Sequence, residues 1–117
     1  MKVKKVYLSG PMTGKPDYNR EAFARATAAL RQQGFEVTNP HELPDPEGLT
    51  GREHEDWRRY LARDLVELLL GGYDYIAWLP GSFGSRGASL EIACAAAAGL
   101  AAADADYLIQ MAKGASK

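Results

Sequence analysis

The sequence is poor in residues that crosslink, ligate metals or carry an excess of one charge. Cys94 is the one cysteine in 117 residues. No intrachain disulfide can form, and its place in an alanine-rich segment reads as a small buried side chain. His41 and His54 are the two histidines. They have no third partner at metal-ligand spacing, so neither a metal nor another cofactor is expected. The 14 Lys and Arg nearly balance the 15 Asp and Glu, which is not the basic face of a nucleic-acid binder. No apolar run reaches transmembrane length, since residues 93–103 are short and weakly apolar. Met1–Lys5 leads straight into a strand-like run without a signal-peptide pattern. These absences exclude membrane and nucleic-acid partners and leave a single cytoplasmic domain over residues 1–117, with a small molecule as its partner.

What is present is an alternation of strands and helices. Val3–Ser9 reads as a first strand, with Val6, Tyr7 and Leu8 consecutive as in a strand covered on both faces. Residues 10–16 hold two prolines and two glycines and form a loop. Asp17 or Asn19 then caps a helix to about Gln33, which Gly34 ends. Phe35–Thr38 is a short second strand, and a second loop runs from Asn39 to about Thr50. Thr50 with Glu53 fits a capping box. The helix it opens runs to Leu70, stops at Gly71-Gly72, and buries a stripe of Trp57, Leu61, Leu65 and Leu68. Asp64 falls inside that stripe, where a carboxylate is costly unless it pairs with an arginine such as Arg63 or lines a cavity. Tyr73–Leu79 is a third strand. After it, residues 101–117 are ambiguous: Tyr107–Met111 suits either a fourth strand or the end of a helix through Ala101–Asp106, with a frayed tail from Ala112. Such an order predicts an α/β, three-layer, flavodoxin- or Rossmann-like domain with a parallel sheet of four to five strands.

The centre of the chain is Leu79-Pro80-Gly81-Ser82-Phe83-Gly84-Ser85-Arg86-Gly87-Ala88-Ser89-Leu90-Glu91. A strand ends at Pro80, a loop of glycines and serines follows, and an alanine-rich helix begins. Free N–H groups at that helix start attract anions, and the glycines permit positive φ or close ligand approach. Glu91, about one turn in, is expected to face back over the loop and stay ionised. The loops 9–16, 39–50 and 80–87 converge at the carboxyl ends of the strands, where such sheets bind ligands. Their glycine patterns are neither a dinucleotide fingerprint nor a P-loop. Asp74 either lines this site or caps the third strand.

Tyr7-Leu8-Ser9-Gly10-Pro11-Met12-Thr13-Gly14, Tyr18-Asn19-Arg20-Glu21-Ala22-Phe23, Asn39-Pro40 and Ser85-x-Gly87-Ala88-x-x-Glu91 together resemble the nucleoside 2-deoxyribosyltransferase-like superfamily, in its small phage and bacterial branch. The resemblance runs from Val3 to about Gly99. It implies cleavage or exchange of a nucleoside or nucleotide N-glycosidic bond through a covalent glycosyl-glutamate, in a homodimer or higher symmetric oligomer. Glu91 matches the nucleophile, Asp64 the aspartate that handles the base proton, and Tyr7 the hydroxyl that positions the nucleophile. Ser85 matches the position that meets phosphate in the deoxynucleoside monophosphate hydrolases. With Gly87 it points to a monophosphate. Ser9, Gly10, Asn39 and Arg86 complete the expected substrate contacts. The first loop has Pro11-Met12-Thr13 where those hydrolases carry Ser-x-Arg, so Arg86 or Arg20 would have to supply the missing charge. A cytokinin-type phosphoribohydrolase is an alternative, although Ser82 and Ser85 break its Pro-Gly-Gly-x-Gly-Thr pattern. A nucleotide-sensing module without turnover is another.

Overall fold

In the computed structural model, which describes residues 2–115, four parallel strands form one sheet in the order β2-β1-β3-β4. They are β1 (Lys5–Ser9), β2 (Glu36–Thr38), β3 (Tyr75–Trp78) and β4 (Ala101–Asp104). The helices are α1 (Arg20–Gln32), α2 (Glu53–Leu70), α3 (Arg86–Ala97) and α4 (Ala105–Ala115). Helices α1 and α4 pack together on one face of the sheet, and α2 and α3 on the other. The result is the three-layer α/β architecture that the strand-helix alternation implies.

Strand periodicity assigns the two cores. From β1, Val6 and Leu8 join Phe23 and Leu30 of α1 and Leu108 and Ile109 of α4. Tyr7 points the other way and joins Leu68 of α2, Ile76 of β3, and Ile92 and Ala95 of α3. Both neighbours of β1 are hydrogen-bonded to it, with Tyr7 opposite Thr38 on one side and Ile76 on the other. The chain therefore leaves β1 in one direction and returns past it in the other. That makes the carboxyl end of β1, at Ser9, the switch point where open α/β sheets bind ligands.

Several local expectations are corrected. The fourth strand is Ala101–Asp104, and Tyr107–Met111 lies in α4. Pairing with β3, from Tyr75↔Ala101 to Trp78↔Asp104, overrides the low strand propensity of three alanines. Residues 112–115 continue that helix, and the remainder of the expected frayed tail lies outside the described residues. Neither Asp17 nor Asn19 makes a side-chain cap to α1. Asp17, Tyr18 and Asn19 all have positive φ, whereas a capping side chain needs extended backbone. Thr50 and Glu53 form no capping box. Instead the Asp56 carboxylate accepts from the N–H groups of Thr50 and Gly51 at 2.7 and 2.8 Å, and from the Thr50 hydroxyl. Those bonds hold the Asp56 carboxyl below its ordinary range. The stripe on α2 is half covered: Asp64 and Leu68 are buried, while Trp57, Leu61 and Leu65 are intermediate. Cys94 is also only partly buried. Asp74 sits at the amino end of β3, where its Oδ2 accepts from Lys5 N–H at 2.8 Å. It is a strand cap, remote from the carboxyl edge.

Candidate functional site

The carboxyl end of β1 meets α2 and α3 in a cluster of buried polar side chains. Ser9 is fully buried, and Glu91 and Asp64 are 6% and 7% exposed. The Ser9 hydroxyl donates to Glu91 Oε1 at 2.6 Å. The Tyr7 hydroxyl lies a long 3.5 Å from Glu91 Oε2. The Glu91 and Asp64 carboxyls adjoin closely enough to shift each other's titration. Arg63 closes the far side, its Nη2 2.8 Å from Asp64 Oδ1. Thus Asp64 is both paired to Arg63 and turned onto the site.

Each position follows from local periodicity. Tyr7 and Ser9 are two apart on β1 and share its α3-facing side. Glu91 shares one face of α3 with Ala88, Ile92 and Ala95, all buried. Leu68 and Asp64, one turn apart, are the buried residues of α2. Two strand residues and two helix residues thereby bring four polar groups to one point.

Burial governs the electrostatics. It pushes Glu91 up to about 8, with the neighbouring Asp64 charge adding to the shift and the Ser9 hydrogen bond opposing it. At neutral pH Glu91 is therefore a carboxylic acid, against the expectation of an ionised group. The reason is position: Glu91 lies in the second turn of α3, past the first-turn N–H groups that favour an anion, and it faces inward. Asp64 is raised by burial too, but the adjacent guanidinium opposes the shift. One proton between two buried carboxyls therefore rests on Glu91, and Asp64 carries the charge. Tyr7 is held far above its ordinary range by burial and by Glu91, so it is a neutral donor.

The remaining predicted residues are placed as follows. Ser85 is the N-cap of α3, its Oγ accepting from Ala88 N–H at 3.3 Å. Gly81 has φ 86°, a conformation that favours glycine. A Cβ on Gly87 would meet nothing closer than Trp57 at 4.0 Å, so packing alone does not require glycine there. At Gly10 packing does: a Cβ would fall 2.9 Å from Leu79 Cδ1 and 3.1 Å from Phe23 Cζ. Asn39 is buried and its Oδ1 caps a single turn by accepting from His41 N–H at 3.0 Å. The Arg86 guanidinium stacks on Trp57, 5.1 Å from the ring centroid. Arg20 pairs with Asp17 at 3.5 Å on the surface. His41 packs edge-on against Phe23, and its Nε2–H donates to the Tyr18 carbonyl at 3.0 Å. No group of three or more His, Cys, Asp or Glu side chains among the described residues is placed to hold a metal.

The sequence pattern marks Glu91, Asp64 and Tyr7, and the structure brings all three together. Ser9, expected as a substrate contact, is also Glu91's shortest hydrogen-bond partner. The two-residue strand period that puts Ser9 beside Tyr7 was the available signal. The extent of Arg63's role needed the folded second loop to be seen.

Fold and site together define a parallel α/β domain with a buried acid pair at its switch point. The chain belongs to the family described as domain of unknown function DUF4406, whose model matches residues 4–104. That span takes in all four strands and every residue of the acid cluster, and it stops where α4 begins. No curated protein matches the chain. No helix among the described residues is long and apolar enough to cross a membrane.

Proposed function

We propose that this protein cleaves or exchanges the N-glycosidic bond of a nucleoside 5′-monophosphate or nucleoside, with Glu91 as nucleophile and Asp64 as proton donor to the leaving base. The observation that carries this reading is that two buried carboxyl groups, Glu91 and Asp64, adjoin each other at the switch point and are both raised by burial. Retaining glycosidic chemistry needs one ionised carboxylate to attack the anomeric carbon and one acid to protonate the leaving group. The pair holds both forms at once. The charges start on the wrong partners, however, so the proton must first pass from Glu91 to Asp64. Retaining glycosidases separate their carboxyls by about 5 Å. The resting pair here is closed, and the sugar must enter between them.

Ser85 and the opening N–H groups of α3, with Arg86 at the rim, form the proposed phosphate contact. We further assign the protein to the cytoplasm as a homodimer. Val66 (57%), Leu69 (43%) and Leu70 (81%) are exposed on α2, which favours a covered helix face in solution. Light scattering at micromolar concentration tests the dimer, and a monomer mass rules it out. Activity is tested by chromatography of free base released from a panel of ribo- and deoxyribonucleosides and their monophosphates. Base released from none of them, with nucleotides still bound, would make this a binding module rather than an enzyme.

A further inference from the structure

The Arg63 guanidinium spends its N–H groups on three partners at once. Nε and Nη2 both donate to Asp64 Oδ1, at 3.0 and 2.8 Å. Nη1 donates to the carbonyl of Pro44 at 2.9 Å, and Nη2 also reaches that of Pro40 at 3.2 Å. A single side chain on α2 thus ties the second loop to the carboxyl that meets Glu91. Its side chain is only 18% exposed, against 10% for Asp64, so the pair is poorly screened.

The groups facing the two carboxyls come from three places. Tyr7 and Ser9 come from β1, Arg63 from α2, and Tyr73, ahead of β3, packs edge-on against Tyr7 at 5.6 Å between ring centroids. Among the described residues that face the pair, Arg63 brings the one positive charge. The hydroxyl of Ser9 donates to Oε1 of Glu91, which leaves Oε2, 3.5 Å from the Tyr7 hydroxyl, as the less engaged oxygen to hold a proton. Two charge-assisted bonds onto a single Asp64 oxygen favour its carboxylate form and weaken if that form is lost.

We propose that Arg63 is the positioning residue that fixes where the shared proton of the Glu91–Asp64 pair resides, holding Asp64 as carboxylate and Glu91 as acid in the unliganded site. The inference rests on the glycosidase reading only for its purpose. For Glu91 to attack, its proton crosses to Asp64, and Asp64 then gives that proton to the leaving base. The bond from the anomeric carbon to the base breaks as the bond to the Glu91 carboxylate forms, and water or a second base later releases the sugar from Glu91. Arg63 opposes this transfer while it grips Oδ1. Since the same guanidinium is anchored by Pro40 and Pro44, displacement of the second loop by an entering ligand loosens that grip. The site therefore stays non-nucleophilic until it is occupied.

Carbon-13 labelling of Glu and Asp side-chain carboxyls, followed by NMR against pH on the intact protein, tests this directly. In the wild type the Asp64 carbon is expected to titrate at lower pH than the Glu91 carbon. Arg63→Gln should raise the Asp64 midpoint by about one unit or more, the usual effect of losing an adjacent opposite charge. The Glu91 midpoint should then fall. Arg63→Lys, which keeps the charge without the two-pronged contact, should raise Asp64 by less. A merely structural arginine would leave both midpoints in place. A wild type in which Asp64 titrates above Glu91 overturns the proposal, as does a folded Arg63→Gln protein with both midpoints unchanged. Should Arg63→Gln fail to fold, an Asp64 midpoint unmoved in Arg63→Lys decides against it. The titration needs no substrate. Absence of base release from every nucleotide would therefore leave this result standing, and unchanged midpoints would leave the glycosidase reading standing.

Discussion

The two faces of the sheet bury side chains for opposite purposes. Under α1 and α4 the buried side chains are Val6, Leu8, Phe23, Leu30, Ala77 and Leu79, joined by Leu108 and Ile109. Under α2 and α3 a smaller apolar cluster adjoins Ser9, Asp64 and Glu91, all buried. The same strand supplies both, since β1 sends Val6 and Leu8 one way and Tyr7 and Ser9 the other. A polar group buried on the second face reduces stability, and that reduction is tolerable because the first face contains almost none. The difference separates residues that hold the fold from residues that do chemistry. It can be tested one face at a time.

The largest effect is expected on the polar face. Glu91→Gln should fold and lose about three orders of magnitude or more in turnover, since an amide of the same shape cannot attack the anomeric carbon. A 2-fluoro sugar analogue should leave a stable adduct on the wild type, read by intact mass. An active Gln variant with no adduct on the wild type would remove Glu91 from the mechanism. Asp64→Asn should impair substrates with poor leaving bases by about a hundredfold or more, and activated ones far less. Equal losses on both would reduce Asp64 to a partner for Arg63.

On the apolar face the counterpart is Phe23→Ala. Phe23 is fully buried against Leu79 and His41, and its truncation should destabilise the protein by about 3–5 kcal/mol. The pH dependence of stability should not change. Denaturant midpoints measured at two pH values check both halves of that statement. A variant that shifts the pH dependence would show that the two faces are coupled through the sheet.

This contrast was partly legible in the sequence. The three-residue run Val6-Tyr7-Leu8 announces a strand buried on both sides, and Gly34, Gly71 and Gly99 end their helices where expected. Asp64 stands out because a carboxylate interrupts an apolar helical stripe. What sequence did not show is the ionisation of the pair. Glu91 looks ionised when judged from its nearness to a helix start, but its state depends on Tyr7, Ser9 and Asp64, which are 27 or more residues away and adjoin it only after folding. Helix caps misread for a related reason: Thr50-x-x-Glu53 fits a motif, yet a competing carboxylate at Asp56 takes the Thr50 N–H that Glu53 would need, along with that of Gly51. The strand Ala101–Asp104 has no local signal at all and is specified by its partner β3.

A smaller effect concerns pH. Glu91 has a folded-state value of about 8 against an ordinary 4.5. Between these values the native state binds more protons than the unfolded state, so stability falls as pH rises. Asp64 is raised as well and acts in the same direction. Glu91's contribution is fully present below pH 4.5 and is lost as pH passes 8. Glu91→Gln removes this term and should therefore be more stable than the wild type at pH 9 by on the order of a few kcal/mol. Its advantage should shrink on acidification. Melting temperatures of both proteins across the range check this. Parallel curves would mean that Glu91 is ionised throughout.

The smallest expected effect sharpens the comparison most, because each face has an enclosed aliphatic hydroxyl. Ser9 donates to Glu91 at 2.6 Å, and Thr27, 2% exposed under α1, donates to the Phe23 carbonyl at 2.7 Å. Each bond is worth about 1 kcal/mol to stability, so Ser9→Ala and Thr27→Val should lower the denaturant midpoint by comparable, modest amounts. They should part in chemistry. The Ser9 hydrogen bond favours the ionised form of Glu91 and opposes its upward shift. Ser9→Ala should therefore move the alkaline titration of Glu91 higher and lower activity at neutral pH by up to about tenfold, the equivalent of one such bond. That loss should not return as pH is raised, because ionising Glu91 to solvent leaves Asp64 no proton for the leaving base. Thr27→Val touches no titrating group and should leave the pH–rate profile where it is. Ser9→Ala with a wild-type profile would make Ser9 a packing residue like Thr27, and the polar face would then owe Glu91's position to Tyr7 and Asp64 alone.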